Sequence, residues 1–271
     1  MKQHVFIISD GTGITAENLG NSLISQFENI EFERTIVPYV DSITKATKLV
    51  EDINQAYSLT GIKPILFMTL INPEIVNTIQ RAHATIFDLF NTFLHPLEKV
   101  LHAKSSYTVG KAHGVSNVHS YSERISAIDY ALAHDDGINP TNYERSEIIL
   151  IGVSRTGKTP SCIYLALHFG ILAANYPFTE EDFTHFQLPD ILRPYKNKLF
   201  GLTIDVARLH QIRSERRPNS RYASIEQCQI EINAVEAMYK REKIPYINST
   251  RFSIEEIATK ILTTAGIQRK F

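Results

Sequence analysis

The sequence lacks most of the features that mark secreted, membrane-embedded or nucleic-acid-binding proteins. It contains two cysteines, too few for a framework of disulfides. No stretch approaches the roughly 18 consecutive apolar residues of a membrane-spanning helix, and the apolar run near the start is too short for a signal peptide. The formal net charge of -1 gives no general attraction to nucleic acid or to an anionic membrane. We therefore expect a cytoplasmic protein whose partners are neither nucleic acids nor membranes.

The sequence does contain a regular alternation of short apolar runs and amphipathic segments. The runs at 4–9 and 147–151 have the length and content of buried strands, and helix-like segments follow them. Repeated β-α units fold into parallel sheets covered by helices, so the predicted class is α/β. The 271 residues can form two such domains. A junction at Ile138-Asn139-Pro140 gives predicted domains 1–140 and 141–271.

The sequence predicts both the buried face and the N-cap of the first helix. The segment 14–27 has apolar residues four apart, and Leu19, Leu23 and Phe27 are expected to form its buried face. Thr15 is the predicted N-cap, because a hydroxyl there can accept from a free backbone N–H.

The strongest motif lies in the second half, between a predicted strand and a predicted helix. It fits the phosphate-binding loop G-x-x-x-x-G-K-[ST] and consists of Gly152, Val153, Ser154, Arg155, Thr156, Gly157, Lys158 and Thr159. The glycines let backbone N–H groups point at the phosphates, where the helix N-terminus adds its positive end. Lys158 supplies a positive charge, and the Thr159 hydroxyl suits Mg²⁺. A chance match in an ordinary turn is disfavoured by this context, so we predict a P-loop, kinase-like α/β half.

Asp205 is a second candidate in this half, because it ends the apolar run 199–204. A carboxylate at the end of a strand beside a P-loop can hold the metal or supply a base. The same residue could instead cap the helix that begins at Val206. Both interpretations stay open.

A basic cluster follows this strand and consists of Arg213, Arg216, Arg217 and Arg221. A continued helix would gather these side chains on one side, where they could close over a nucleotide and stabilise the group being transferred. Pro218 is expected to interrupt the helix, which weakens that geometry. A solvated charged face is the alternative.

The first half has its own glycine-rich turn, Ser9-Asp10-Gly11-Thr12-Gly13. It lacks the lysine of a P-loop and the third glycine of a dinucleotide fingerprint, so it is weak evidence by itself. One interpretation is a tight structural turn. The other is a site for a second phosphate or for the acceptor group, with Asp10 on the acceptor side.

The remaining reactive side chains show no pattern that predicts a site. The group without metal-ligand spacing consists of His113, His119, His134, Asp135 and Asp136. We interpret most of these as surface or capping groups, and Cys162 as a small core residue.

The residues alone therefore indicate a small phosphotransferase. A GTPase is disfavoured, because Phe200 stands where the guanine-reading N-K-x-D motif would need an aspartate after Asn197-Lys198. Two other classes stay open. One is a small-molecule kinase that uses ATP, and the other is a nucleotide-responsive binding module without chemistry.

Five stretches spread over both halves carry a resemblance to a known family. They are ISDGTGITAE at 8–17, AHDDGI at 133–138, GVSRTGKTP at 152–160, ANYP at 174–177 and NSRYA at 219–223. With these stretches the whole chain resembles the bacterial phosphoenolpyruvate synthase regulatory proteins, relatives of the pyruvate, phosphate dikinase regulatory proteins.

The resemblance implies a bifunctional regulator of phosphoenolpyruvate synthase or of pyruvate, phosphate dikinase. One activity is an ADP-dependent serine/threonine kinase that inactivates the target by phosphorylating a threonine. The other is a phosphate-dependent phosphorylase that restores the target and releases pyrophosphate. The substrates are then ADP and inorganic phosphate, with Mg²⁺ as the expected cofactor and residues 152–159 as the ADP site.

On this basis each candidate residue has an expected role. The predicted catalytic residues are Lys158, Asp205, Arg217 and Asp10. The predicted metal ligands are Thr159 and Asp205. The target threonine is left open, as is the oligomeric state, for which a homodimer is one candidate.

Overall fold

The computed structural model describes residues 2–108, 118–137, 140–179, 181–182 and 187–270. The chain divides into two compact units, Met1–Gly114 and Val115–Phe271. Each unit contains a parallel sheet covered by helices, so the predicted α/β class of both halves is confirmed. Within the described ranges, no helix combines the length and apolar character needed to cross a membrane.

The first unit is built on a four-stranded parallel sheet with the order β2-β1-β3-β4. Its elements are β1 Lys2–Ser9, α1 Ile14–Ile24, β2 Glu31–Val37, α2 Ile43–Thr60, β3 Ile65–Thr69, α3 Pro73–Ile79, β4 Thr85–Asp88 and α4 Leu89–Leu101. The chain passes from β2 across β1 to form β3, so the strand order reverses between β1 and β3. Ligands of open α/β sheets bind at such a reversal, beyond the carboxyl ends of the strands.

The second unit repeats this plan with the strand order β6-β5-β7-β8. Its elements are α5 Val118–Ala133, β5 Ile148–Gly152, α6 Lys158–Phe169, β6 Ala173–Pro177, β7 Leu199–Thr203, α7 Val206–Arg216, α8 Ile225–Glu242, β8 Tyr246–Asn248 and α9 Ile254–Ala265. Strand β5 is buried along its whole length and separates two apolar clusters. The order reverses here between β5 and β7, which places the carboxyl end of β5 at the centre of the sheet edge.

Helix α5 belongs to the second unit, whereas the predicted boundary at 140 assigned it to the first. Ala127 and Ala131 of α5 lie in one apolar cluster with Leu165 and Ala166 of α6. These small side chains let the two helices approach closely. The junction predicted at 138–140 lies partly outside the described residues.

Helix α1 differs from its prediction in both cap and buried face. Gly13 is the N-cap, at a φ of 84°, so the expectation that Thr15 caps the helix is wrong. The predicted face of Leu19, Leu23 and Phe27 is exposed. The buried residues are Ala16, Gly20 and Ile24. A Cβ on Gly20 would meet the ring of Phe67 at 2.9 Å, so the helix packs on the sheet through its smallest residues.

Candidate active site

The loop between β5 and α6 has the backbone that its motif predicts. Gly157 is the N-cap of α6 at a φ of 91°, a left-handed conformation that side chains adopt only with strain. At Gly152 a Cβ would lie well inside van der Waals contact with the carbonyl oxygen of Leu202 on β7. No side chain of the described residues caps α6. The first N–H groups of this helix therefore have no side-chain cap among the described residues, which leaves them available to an anion.

Lys158 is folded back onto this loop. Its Nζ donates to the carbonyl oxygen of Val153 at 3.0 Å, and the side chain is 5% exposed. Burial lowers the pKa of Lys158 to about 8, although the charges of Asp136 and Asp135 oppose the shift. A diphosphate at this position would replace the missing counter-charge and favour the protonated amine.

Thr159 is held by a polar cluster that sequence reasoning missed. Its Oγ1 donates to Asp135 Oδ1 at 2.7 Å. Asn175 on β6 donates through Nδ2 to Asp135 Oδ1 and, at 3.2 Å, to Thr159 Oγ1. The amide of Asn175 also accepts from the backbone N–H of Asp136 at 3.2 Å. The cluster fixes a carboxylate next to the hydroxyl that suits Mg²⁺.

The expectation that most of the group with Asp135 are surface or capping residues does not hold for Asp135, which belongs to this polar cluster. Two signals could have found this cluster. Asn175 is a polar residue inside an otherwise apolar strand, where it is 1% exposed, and buried amides need partners. Asp135 and Asn175 also fall in two of the five stretches that carry the family resemblance.

Arg213 supports the loop through a hydrogen bond to Ser154. Its Nη2 donates to the carbonyl oxygen of Ser154 at 3.2 Å and to Glu231 Oε2 at 2.7 Å. The ring of Tyr222 lies 4.1 Å from the guanidinium carbon, and the Tyr222 hydroxyl donates to Ser154 Oγ at 3.1 Å. Arg213 is 1% exposed. It therefore positions the loop backbone rather than closing over it.

Arg217 and Arg221 do not lie on the helix that carries Arg213 and Arg216. Helix α7 ends at Arg216, and Arg217 follows with a non-helical φ of -139°. Arg221 lies in a separate 3₁₀ turn, Arg221–Ala223. The expectation of one continuous basic face is wrong, because the chain leaves the helix just before Pro218. Arg217 is exposed, and its role at the transferring group stays a prediction.

Asp205 follows β7, the strand beside β5. It occupies the N-cap position of α7, but its side chain makes no capping hydrogen bond within the described residues. Asn248 Nδ2 instead donates to Asp205 Oδ1 at 2.7 Å. Thr159 is thus hydrogen-bonded to Asp135, while Asp205 is hydrogen-bonded to Asn248 of β8. The metal and catalytic roles of Asp205 stay predictions.

Asp10 lies in the first unit, after β1. Its Oδ2 accepts from the backbone N–H of Ile71 at 2.8 Å. Burial raises the pKa of Asp10, and the hydrogen bonds that its carboxylate accepts from the backbone partly oppose this shift. Its role on the acceptor side stays a prediction.

The remaining candidates are placed as follows. His134 is buried and stacks on Tyr130 with 3.9 Å between ring centroids, so it is not a surface group. Cys162 is a buried residue of the second unit's core, as expected, and burial raises the pKa of its thiol. His113 lies outside the described residues, as does the side chain of His119. In the described part of the chain, no three His, Cys, Asp or Glu side chains gather as a metal site.

Known proteins match the chain over almost its entire length. The family model described as Kinase/pyrophosphorylase matches residues 5–262. A protein of Legionella pneumophila (strain Lens) is 67% identical over 270 residues, which cover 100% of both chains. Proteins of Marinobacter nauticus and Pseudomonas aeruginosa (strain LESB58) are 54% and 52% identical, covering at least 99% of each chain. Each of the three is named "Putative phosphoenolpyruvate synthase regulatory protein".

Proposed function

Because the chain belongs to the Kinase/pyrophosphorylase family, we propose that it is a bifunctional regulator of phosphoenolpyruvate synthase. In one direction it is an ADP-dependent serine/threonine kinase that inactivates the synthase at a threonine. In the other it is a phosphate-dependent phosphorylase that reactivates the synthase. The observation that carries the proposal is the glycine-built loop at the carboxyl end of β5, with Lys158 folded over it. The names of the full-length relatives indicate the target.

The two directions are one exchange of a phosphoryl group. In the kinase direction the threonine hydroxyl gives up its proton to the solvent as its oxygen forms a bond to the β-phosphorus of ADP, the bond from that phosphorus to the bridging oxygen breaks, and AMP leaves. In the phosphorylase direction an oxygen of inorganic phosphate attacks the phosphothreonine phosphorus. Pyrophosphate forms, and the threonine oxygen leaves and regains a proton. AMP and phosphate thus act as alternative carriers of the same group.

The loop suits both carriers, because each presents a phosphate next to the group in transit. The N–H groups at the start of α6 and the Lys158 amine would bind the diphosphate of ADP or of the forming pyrophosphate. This shared pocket predicts that both directions depend on the same residues.

The cluster around Thr159 fits a magnesium ion. Mg²⁺ is commonly held by one or two carboxylates together with substrate phosphates, and Asp135 is fixed beside the Thr159 hydroxyl. We infer that Thr159 and Asp135 hold the ion, with Asp205 as a further oxygen ligand. The ion would neutralise charge that develops on the bridging oxygen.

Two further residues complete the proposal. Arg217, exposed just after α7, would stabilise charge on the phosphoryl group in transit. Asp10 would orient the accepting hydroxyl. Both assignments depend on position and charge.

The test is transfer of label from ADP. The protein is incubated with phosphoenolpyruvate synthase and ADP labelled in the β-phosphate, with γ-labelled ATP in a parallel reaction. Label on a synthase threonine from ADP alone supports the proposal, and adding phosphate should then release labelled pyrophosphate. Label from ATP on a small molecule would instead show a metabolite kinase. Nucleotide binding without any labelled product would show a binding module.

A further inference from the structure

The glycine-rich turn of the first unit lines a cavity of its own. The cavity has a volume of about 260 Å³ and lies beyond the carboxyl ends of β1 and β3, where the strand order reverses. Sheets with the order 2-1-3-4 bind phosphorylated ligands at this point. The size suits a small metabolite rather than a protein segment.

The cavity has both polar and apolar lining residues. Thr12, Thr15 and Asp10 contribute polar groups, and Phe90 and Leu94 of α4 contribute apolar side chains. The Thr12 and Thr15 hydroxyls have no hydrogen-bond partner among the described residues. A ligand with a polar end and an apolar body would match both kinds of lining residue.

Two buried hydroxyls line the cavity, those of Ser9 and Thr69, which are 6% and 3% exposed. Thr69 Oγ1 donates to Ser9 Oγ at 3.1 Å, and Ser9 Oγ also accepts from the Gly11 N–H at 3.1 Å. The proton of the Ser9 hydroxyl has no acceptor within the described residues. A buried donor without an acceptor is unfavourable, so the site is arranged for a ligand oxygen.

The start of α1 supplies further donors. Gly13 is its N-cap and provides no side-chain acceptor to the first N–H groups. The Ser9, Thr12 and Thr15 hydroxyls line the same cavity as the start of this helix. A tetrahedral phosphate has three acceptor oxygens and therefore pairs with this set of hydrogen-bond donors better than a planar carboxylate does.

We propose that this cavity binds a small organic phosphate, with the phosphate on the hydroxyl-bearing turn and an apolar or aromatic body against Phe90 and Leu94. The cavity belongs to the first unit, and binding there does not depend on the proposed phosphoryl exchange. Asp10 is the only charged residue lining the cavity in the part of the chain that is described. Its carboxylate repels the phosphate, so the charge of Asp10 limits the affinity.

The test uses the full chain with the substitution Lys158→Ala. This substitution weakens ligand binding at the second unit's loop, so that binding at the cavity can be measured. Phenyl phosphate, AMP and benzoate are titrated while the backbone amide signals of Gly11 and Gly13 are followed by NMR. Phenyl phosphate is expected to shift these signals saturably and to bind more tightly than benzoate. Shifts confined to the second unit, or tighter binding of benzoate, would overturn the proposal.

Matched variants locate the contact. Thr15→Val removes a hydroxyl with little change of shape and should weaken phenyl phosphate binding about tenfold. Thr47→Val on exposed α2 is the control and should leave it unchanged. Asp10→Asn keeps an acceptor for Ile71 N–H and should tighten binding several-fold. Equal affinities of the two valine variants, or weaker binding by Asp10→Asn, would show that the ligand is not a phosphate held by this turn.

Discussion

At the scale of single residues, Lys158 is central because its amine is buried without a fixed anionic partner at hydrogen-bonding distance among the described residues. Such an arrangement is unfavourable in the free protein, and the proposed diphosphate would relieve it. The neighbouring Thr159 is different, because protein groups already orient its hydroxyl.

Lys158→Ala should lower the kinase and phosphorylase rates together, each by about 100-fold or more, because both directions use the same charge. Rates are measured with β-labelled ADP and with phosphorylated synthase plus phosphate. Lys240→Ala, an exposed position on α8, is the matched control. A loss restricted to the kinase direction would contradict the shared pocket.

ADP affinity should fall as the pH rises above about 8, the pKa to which burial lowers Lys158. The charged amine binds the diphosphate, and deprotonation of the free protein competes with binding. The limiting decrease is about tenfold per pH unit, measured by calorimetry between pH 7 and 10. The same titration of Lys158→Ala should lack this decrease, and an identical profile would disprove the assignment.

Asp135→Asn should raise the Mg²⁺ concentration needed for half-maximal activity by about tenfold or more, because it removes one carboxylate from the ion. Activity is measured against Mg²⁺ at saturating ADP. Asp129→Asn removes the same charge from an exposed position on α5 and should have no effect. If the two variants behave alike, Asp135 does not bind the ion.

At the scale of elements, the strand-loop-helix unit of β5 and α6 depends on two different properties of glycine. Gly157 provides a left-handed backbone, whereas Gly152 provides space for β7. The sequence motif predicts both glycines but does not reveal which neighbour requires the second one.

Gly152→Ala should lower the free energy of unfolding by more than about 2 kcal/mol, because a backbone carbonyl of β7 has to move. Gly61→Ala is the control, since Gly61 ends α2 at a φ of 67° with no atom within 4 Å of an added Cβ. Its strain should cost about 1 kcal/mol. Denaturant unfolding of both variants gives the comparison, and a smaller loss at Gly152 would contradict the close approach.

Helix ends are the elements that the sequence predicts best. The Ser253 and Glu256 side chains form a reciprocal capping box, which the spacing S-x-x-E favours. Gly61 and Gly266 end their helices in the left-handed conformation that suits glycine. These features are local, so a few neighbouring residues decide them. The buried face of α1 is not local and was predicted incorrectly.

At the scale of the whole molecule, the chain contains two parallel sheets of the same type, which carry different functional side chains at their carboxyl ends. The first carries hydroxyls and one carboxylate. The second carries a lysine and an oriented threonine. The repetition of the plan follows from the β-α pattern, while the difference follows from a few residues after each central strand.

A fragment of residues 115–271 should unfold cooperatively, whereas 141–271 should be markedly less stable or insoluble. The shorter fragment lacks α5, which covers an apolar face of α6 with Ala127 and Ala131. Circular dichroism during thermal unfolding measures both fragments. Equal stability would show that the boundary predicted at 140 is the better one.

The sequence by itself determined the α/β class, the β-α repetition and the position of the glycine-rich loop between β5 and α6, because these depend on short-range patterns of apolar residues, glycines and one lysine. Only the tertiary structure brought Asp135 and Asn175 to Thr159 and placed Arg213 behind Ser154. These partners lie 16 to 59 residues from the residues they contact. No local pattern specifies such pairs, because they arise from the crossing of strands within the sheet and from the packing of helices against it.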